Sequence, residues 1–453
     1  MCMRSYAVCL VASAFAPALT AASGVTFHRN VEVILQQRCQ VCHRPGEAAP
    51  MSLLTYKDAR PWAKAIREAV IQRKMPPWFA DPAHGEFSND RRLPQAEIDT
   101  IVQWVESGAP EGDVKDAPKP IAYVDGWSIG TPDVIFEMPK AFTVPATGKV
   151  PYQYITVPTN FTEDKWVQAA EIRPGNRAVV HHIQAHAVPG DRPSLQGKIG
   201  EFLDAEAIDK RTIETTEAAL QGKVVRPQFH SGVEGEYLQG YTPGSVSLDL
   251  KPGEAKLIKA GSVILFQLHY QPTGKEMSDR SRVGLIFAKN PPKRRIHTAN
   301  VQNFAFTIPP RVADYPVSAR ARVTRDLTVV NLRPHMHFRG KSIEYKVTYP
   351  NGESEILLRV PRWDFNWQMT YSLRRPKVLP KGTVIELLGR YDNSVNNPAN
   401  PDPNALVVYG EQTWNEMLGG LIDVALEPDM ATPELFESVP EKPPISGSSA
   451  ALR

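Results

Sequence analysis

Cysteine and histidine are scarce in this 453-residue chain, with 4 and 11 copies, and several of them are clustered. Two cysteines fall in Cys39-Gln-Val-Cys42-His43. In a C-x-x-C-H run, two thiols can bond covalently to haem vinyl groups while the next imidazole takes an axial position on the iron. A zinc half-site or a redox dithiol makes no such direct use of the adjacent histidine, and no second cysteine pair is present to complete a zinc site. The other clusters are histidine sets: His181 and His182 in RAVVHHIQAHAV, His269 in ILFQLHYQ, and His335 and His337 in NLRPHMHFRGKS. Strand residues two apart point to one side, so His335 and His337 can direct both imidazoles at one ion. Adjacent strand residues face opposite ways, so a shared ion at His181 and His182 requires a bulge, a strand end or different ring nitrogens. By parity His182 and His186 share a face, which keeps His186 as a rival ligand, and His230 in QFHSG is another. Met417 in GEQTWNEMLGG stands in a polar, Gly-flanked setting where a methionine serving only to fill a core is less expected.

The elements that carry these residues differ along the chain. Residues 24–110 read as three short helices. Asn30 can cap VEVILQQRC, and a second segment after Asp58 has Trp62, Ala65, Ile66, Ala69 and Val70 at helical spacing. A third opens at Pro94, repeats Ile98, Ile101, Val102 and Val105 on one face, and stops at Gly108. With its C-x-x-C-H run, this segment resembles the c-type cytochromes. A thioether ligand opposite the histidine is usual in that family, which makes Met75 in RKMPPWF the candidate sixth ligand and Met51 in PGEAAPMSLL its competitor. A haem closed by His43 and Met75 carries electrons rather than activating oxygen.

Residues 111–126, rich in Pro, Gly and Asp, read as a linker. Beyond Trp127 the texture is all-β: YQYITV, AVVHHIQAHAV, SVILFQLHY, VGLIF, LTVVNL, IEYKVTY and TVIELLGRY alternate with turn clusters such as RPGN, KPGE and YPNGE. About 300 residues exceed one sandwich, so the spacing predicts two β-sandwich domains, 127–290 and 291–435, divided near Asn290 to Arg295. A helix is expected around FLDAEAIDKRTIETTEAAL, and residues 436–453 read as a disordered tail.

Residues 1–23 have the form of a secretory signal peptide: Arg4, an apolar run broken by Pro17, then small residues. No later stretch reaches about 18 apolar residues, so a periplasmic or secreted protein with no stable membrane insertion is expected. Once Cys2 and Cys9 leave with the signal, Cys39 and Cys42 are the only thiols. The 52 basic and 49 acidic residues are intermixed and sum to a formal +3. Such a mixture has no electrostatic footprint for nucleic acid and points to small molecules or proteins as partners.

Taken together, the histidine and methionine contexts resemble the copper type II, ascorbate-dependent monooxygenases, the family of the peptidylglycine alpha-hydroxylating and dopamine beta-monooxygenases. The resemblance covers roughly Trp127 to Leu435. It implies jelly-roll-like sandwiches and two copper ions, one held by His181, His182 and His269 and the other by His335, His337 and Met417. Three imidazoles suit a copper that cycles between oxidation states, while two imidazoles and a thioether favour Cu(I). The implied activity is hydroxylation of a C–H bond by O2, with the second copper beside an organic substrate and the first storing an electron. The fused haem would then receive electrons from a small reductant or a redox partner protein. Arg333 matches a position that holds a substrate carboxylate in the peptide hydroxylase. Gly419 and Leu421 stand where that enzyme has polar anchors, which argues against peptide amidation and suggests a different or more apolar substrate. A carrier that binds haem and copper without oxygenase activity is the alternative, and a filled space beside Met417 would favour it.

Overall fold

The structure, a computed structural model, describes residues 24–47, 49–123, 126–192, 195, 197–204, 235–245, 247–430 and 435–439. The signal sequence, His230, most of the expected 202–220 helix and the last 14 residues lie outside the described residues.

The fold is β-rich and multi-sheeted, preceded by a small helical unit. A helical turn at Phe27–Val31 runs straight into the helix Glu32–Arg38. The helix therefore starts earlier than Asn30. Thr26 is the cap, its hydroxyl accepting from Arg29 N, while Asn30 reaches back to accept from Thr26 N at 3.0 Å. This reciprocal arrangement works like a capping box. The next helix, Ala63–Ile71, buries Ala63, Ile66 and Val70, whereas Trp62 and Ala65 face solvent. The expected stripe is out of phase because Pro61 places Trp62 in a tighter turn before the helix proper. In Gln95–Glu106 the buried face is Ile98, Ile101 and Trp104. These faces meet Phe27, Val31, Leu35 and Leu53 in one core.

Two further cores lie between sheets. One nine-stranded sheet runs through the whole β region. Its two halves join where Glu254–Ile258 pairs in parallel with Arg294–Asn303 over Glu254↔Arg294 and Ala255↔Arg295. Each half is faced by its own five-stranded sheet. The first includes Val180–Pro189, Glu236–Tyr241 and Ser262–Tyr270, and the second Tyr315–Val323, Gly340–Thr348 and Val384–Tyr391. All the β-rich runs expected from the sequence form strands. Two expectations fail. Leu203–Asp204 pairs with Gln153–Tyr154 instead of opening a helix, and Phe436–Ser438 is an edge strand on Tyr315–Val323 instead of tail.

A buried charge network spans the junction of the two halves. Lys256 Nζ donates to Glu236 Oε1 at 3.2 Å and to Thr298 Oγ1 at 2.8 Å, and Arg295 and His297 both reach Glu236 Oε2. Asp423 accepts from Thr298 and Asn331. Buried charges persist only when partnered in this way.

The helical unit is tied to the β region by the excursion between its last two helices. Trp78 and Phe87 pack edge-on against Tyr371, with ring centroids 4.9 and 5.4 Å away, and enter the core of the second half. Ser88 N donates to Ser372 O, and Asn89 Nδ2 donates to Thr370 O. The loop 361–370 therefore lies between the helical unit and the sheets.

Candidate functional site

His181 and His182 begin the strand Val180–Pro189, and His269 is the penultimate residue of its neighbour Ser262–Tyr270. The register runs Leu268↔Ile183 and His269↔His182, then jumps to Tyr270↔Val180, so His181 is the extra residue of a β-bulge. The bulge removes the parity conflict of adjacent histidines. One nitrogen from each of His181, His182 and His269 lies within 4.8 Å of the others, and all three residues are buried. Nδ1 of His181 is 3.3 Å from Nδ1 of His182. His182 Nε2 and His269 Nδ1 are buried without a hydrogen-bond partner. Burial holds all three imidazoles below the usual histidine range; the neighbouring imidazoles add to the effect at His182 and His269, while Asn366 and Asp364 oppose it at His181. The neutral form so favoured is the one that binds metal. His181 Nε2 faces Asn366 Oδ1 at 3.3 Å, while Asn366 Nδ2 donates to Asp364, which fixes the amide's orientation. His181 therefore carries its proton on Nε2 and turns a bare Nδ1 toward the cluster.

His335 ends the strand Leu327–His335, and His337 follows in the turn before Gly340–Thr348. Their outer nitrogens are both taken. His335 Nδ1 lies 2.6 Å from Gln368 Oε1, and His337 Nδ1 lies 3.2 Å from the carbonyl of Asn415. With the protons committed there, both Nε2 atoms present lone pairs to each other across 3.3 Å. Two lone pairs held face to face repel unless a cation lies between them, and burial keeps both rings neutral. Met417 precedes the strand Leu418–Leu426, whose Gly419 is the cross-strand partner of His335. The Glu416 carboxyl clamps the turn by accepting from His337 N at 2.9 Å and Arg339 N at 2.6 Å. Met417 and His335 consequently share the wall of a cavity of about 90 Å³.

Gln184, Gln267, Asn300, Gln302 and Glu411 line that cavity as well. Amide side chains from other strands thus stand in the same wall as Gly419 and Leu421. The space beside Met417 is also open rather than filled. Arg333 is not in this wall. Its guanidinium lies 4.4 Å over the Tyr237 ring, with Nε donating to Thr370 Oγ1, in a separate cavity of about 70 Å³. His186 also stays out of the first cluster, since its Nε2 meets Gln184 Oε1 at 3.2 Å.

The two histidine clusters flank one aromatic ring. Phe365 stacks on His181 with centroids 4.8 Å apart and planes 9° from parallel, and its ring stands edge-on to His337 at 6.1 Å. In the helical unit, Cys39 and Cys42 are unpaired thiols. Burial pushes Cys39 up to about 12, and burial also raises Cys42. His43 is held below its usual value by burial, with the Met51 backbone against it. Met75 lines a cavity of about 890 Å³ with Val70, Trp78, Leu93 and Ile98, whereas Cys42 opens on a different one of about 240 Å³.

Phe365, Asn366, Gln368, Asn415 and Glu416 were not singled out from the sequence. Only Asn415 and Glu416 stood inside a quoted motif.

No protein-family model matches the chain, and no curated protein matches it. Among solved structures it is similar to the major capsid protein P2 of bacteriophage PM2, at 7% identity over 64% of this chain and 96% of that one, with a TM-score of 0.25. It is also similar to the VP2 subviral particle of infectious bursal disease virus, at 8% identity over 66% and 73%, with a TM-score of 0.18. A third neighbour, PNGF-II, has 10% identity over 65% and 60%, with a TM-score of 0.21. Similarities at this level carry no argument about function. Among the described residues no helix is long and apolar enough to cross a membrane.

Proposed function

We propose that this chain is an exported, copper-dependent monooxygenase that hydroxylates a C–H bond with O2 and is supplied with electrons through a covalently attached haem. On this reading residues 24–110 are a c-type cytochrome domain, and two jelly-roll-like copper domains follow. The observation that carries it is the gathering of five buried imidazoles into two sets: His181, His182 and His269 converge with His182 Nε2 and His269 Nδ1 left without partners, and His335 and His337, whose Nδ1 atoms are occupied, face each other through Nε2.

The residues fit the ions. His181, His182 and His269 would hold one copper, which would satisfy the orphaned His182 Nε2 and His269 Nδ1, and His335, His337 and Met417 would hold the other, where the two Nε2 atoms face each other. Cys39 and Cys42 are free and protonated, as thioether formation requires, and they with His43 would hold the haem, whereas Met75 lines a cavity other than the one on which Cys42 opens. When bound, the two coppers and the haem would supply single electrons to the reduction of O2. The chain's own part is to orient His181, His335 and His337 through Asn366, Gln368 and Asn415, and to hold Met417 against the His335 strand through Glu416. The cavity beside Met417 would receive the substrate. That open space favours the oxygenase over a carrier, which has no use for it.

Metal analysis of the full chain, produced with haem attachment, tests the reading. One iron and two coppers per chain are expected. Met417→Ala is expected to lose one copper while the haem absorption and the other copper remain. A chain without copper, or a Met417→Ala variant that keeps both ions, would overturn it.

A further inference from the structure

The segment 361–370, PRWDFNWQMT, has no regular secondary structure, yet it touches every candidate centre. Pro361 and Arg362 stand in the wall of the Met75 cavity. Asp364 turns the chain by accepting from Asn366 N and, through its carbonyl, from Trp367 N. The turn separates consecutive side chains toward different partners. Phe365 stacks on His181 and stands edge-on to His337, Asn366 binds His181 Nε2, and Gln368 binds His335 Nδ1. Trp367 takes the remaining direction, toward the helical unit. The point that a Cβ on Gly244 would occupy is 3.2 Å from Trp367 Cζ3 and 3.8 Å from Cys42 Sγ. Gly244 has φ +77°, and Arg91 Nη1 holds its carbonyl at 2.7 Å. A side chain there would crowd the indole and strain the backbone, so the bare glycine leaves Trp367 Cζ3 and Cys42 Sγ on either side of one point, within about 7.0 Å of each other.

We propose that residues 364–368 bridge the haem-attachment site to both histidine clusters, with Trp367 as the residue of the segment that faces Cys42 across Gly244. This rests on the haem and copper reading above. Tunnelling weakens steeply across empty space and less through bonded atoms and packed rings. Trp367 is two bonded neighbours from Phe365 and one from each of Asn366 and Gln368, so one short segment serves both clusters. In each transfer one ferrous haem becomes ferric and one cupric ion becomes cuprous, and no atom or proton moves.

The test uses the full chain with haem attached and both coppers oxidised, without oxygen. A ruthenium photoreductant reduces the haem, and the decay of the ferrous absorption band is followed together with the copper(II) resonance. In the wild type the band should decay as copper(II) is lost, and it should persist when copper is removed. Trp367→Leu should slow that decay by an order of magnitude or more with haem and copper contents unchanged, whereas Trp367→Phe should restore most of the rate. Trp62→Phe, at a surface tryptophan 44% exposed, should leave it unaltered. An unchanged decay in Trp367→Leu at full metal content overturns the bridge. Missing iron or copper in the wild type overturns instead the assignment of the centres on which it rests.

Discussion

Glu416 lies at the point where the second histidine pair and Met417 are brought together. Its carboxyl is fully buried and pushed up to about 8 by that burial, against the opposing pull of the Arg339 and His337 backbone N–H groups and the Arg339 guanidinium. Each carboxyl oxygen accepts one of those two N–H bonds. Glu416→Gln keeps the shape but replaces one acceptor with an NH2 that faces a backbone donor. A buried donor left unsatisfied costs about 1–3 kcal/mol. Denaturant unfolding should report that loss, and copper titration should show weaker binding at the His335/His337 site with the His181/His182/His269 site unchanged. Asn366 and Gln368 act differently, since each fixes a tautomer without touching the ion itself.

At the scale of elements, the site depends on two local irregularities in otherwise regular strands. The first is the bulge at His181, which lets neighbouring residues serve one cluster. The second is the Gly419-Gly420 pair at the start of the strand after Met417. Gly420 faces the core, where an added Cβ would come within 2.3 Å of Leu387 Cδ1. Gly419 faces His335, where a Cβ would meet the nearest atom at 3.4 Å. Leu387 is itself fully buried and has little freedom to move. Gly420→Ala should therefore destabilise the protein by about 1–3 kcal/mol, as overpacking does, seen as a lower denaturant midpoint with an unchanged slope. The elements themselves were largely legible: strand runs such as SVILFQLHY and IEYKVTY announce themselves by composition. The helix phases at Thr26 and Ala63 were less so, because capping hydrogen bonds and a proline reset where each helix starts.

For the molecule as a whole, buried ionisable groups set how stability varies with pH. Burial opposes charge on Glu236, but His297, Lys256 and Arg295 outweigh it and hold the carboxyl at about 2. Its contribution is present above the ordinary carboxylate value and is lost as pH falls through about 2. His186 is held at about 3, first by burial and then by Lys256 and Arg333. Between that value and the ordinary histidine value of about 6.5, the unfolded chain binds a proton that the folded chain refuses. The five buried histidines of the two clusters are shifted in the same direction. The metal-free protein should accordingly lose stability steadily as pH drops below about 6.5, well before the Glu236 network is protonated. Unfolding free energies measured across that range check this. A flat profile down to about pH 4 would show that the histidines are not buried and neutral.

The sequence by itself determined the residue types available for chemistry and the local pairs among them. C-x-x-C-H is legible because covalent adjacency sets its geometry, and H-x-H because a strand repeats every two residues. Only the tertiary structure decided which distant residues complete those pairs. Asn366 meets His181 across 185 positions of chain and Gln368 meets His335 across 33, from an irregular loop that carries no periodic signal. The same holds for the excluded residues. Arg333 matched a motif, yet the Tyr237 ring and Thr370 hold it in another cavity. Periodicity reports which way a side chain leaves its own backbone; what it meets there depends on how the sheets and the loop 361–370 pack together.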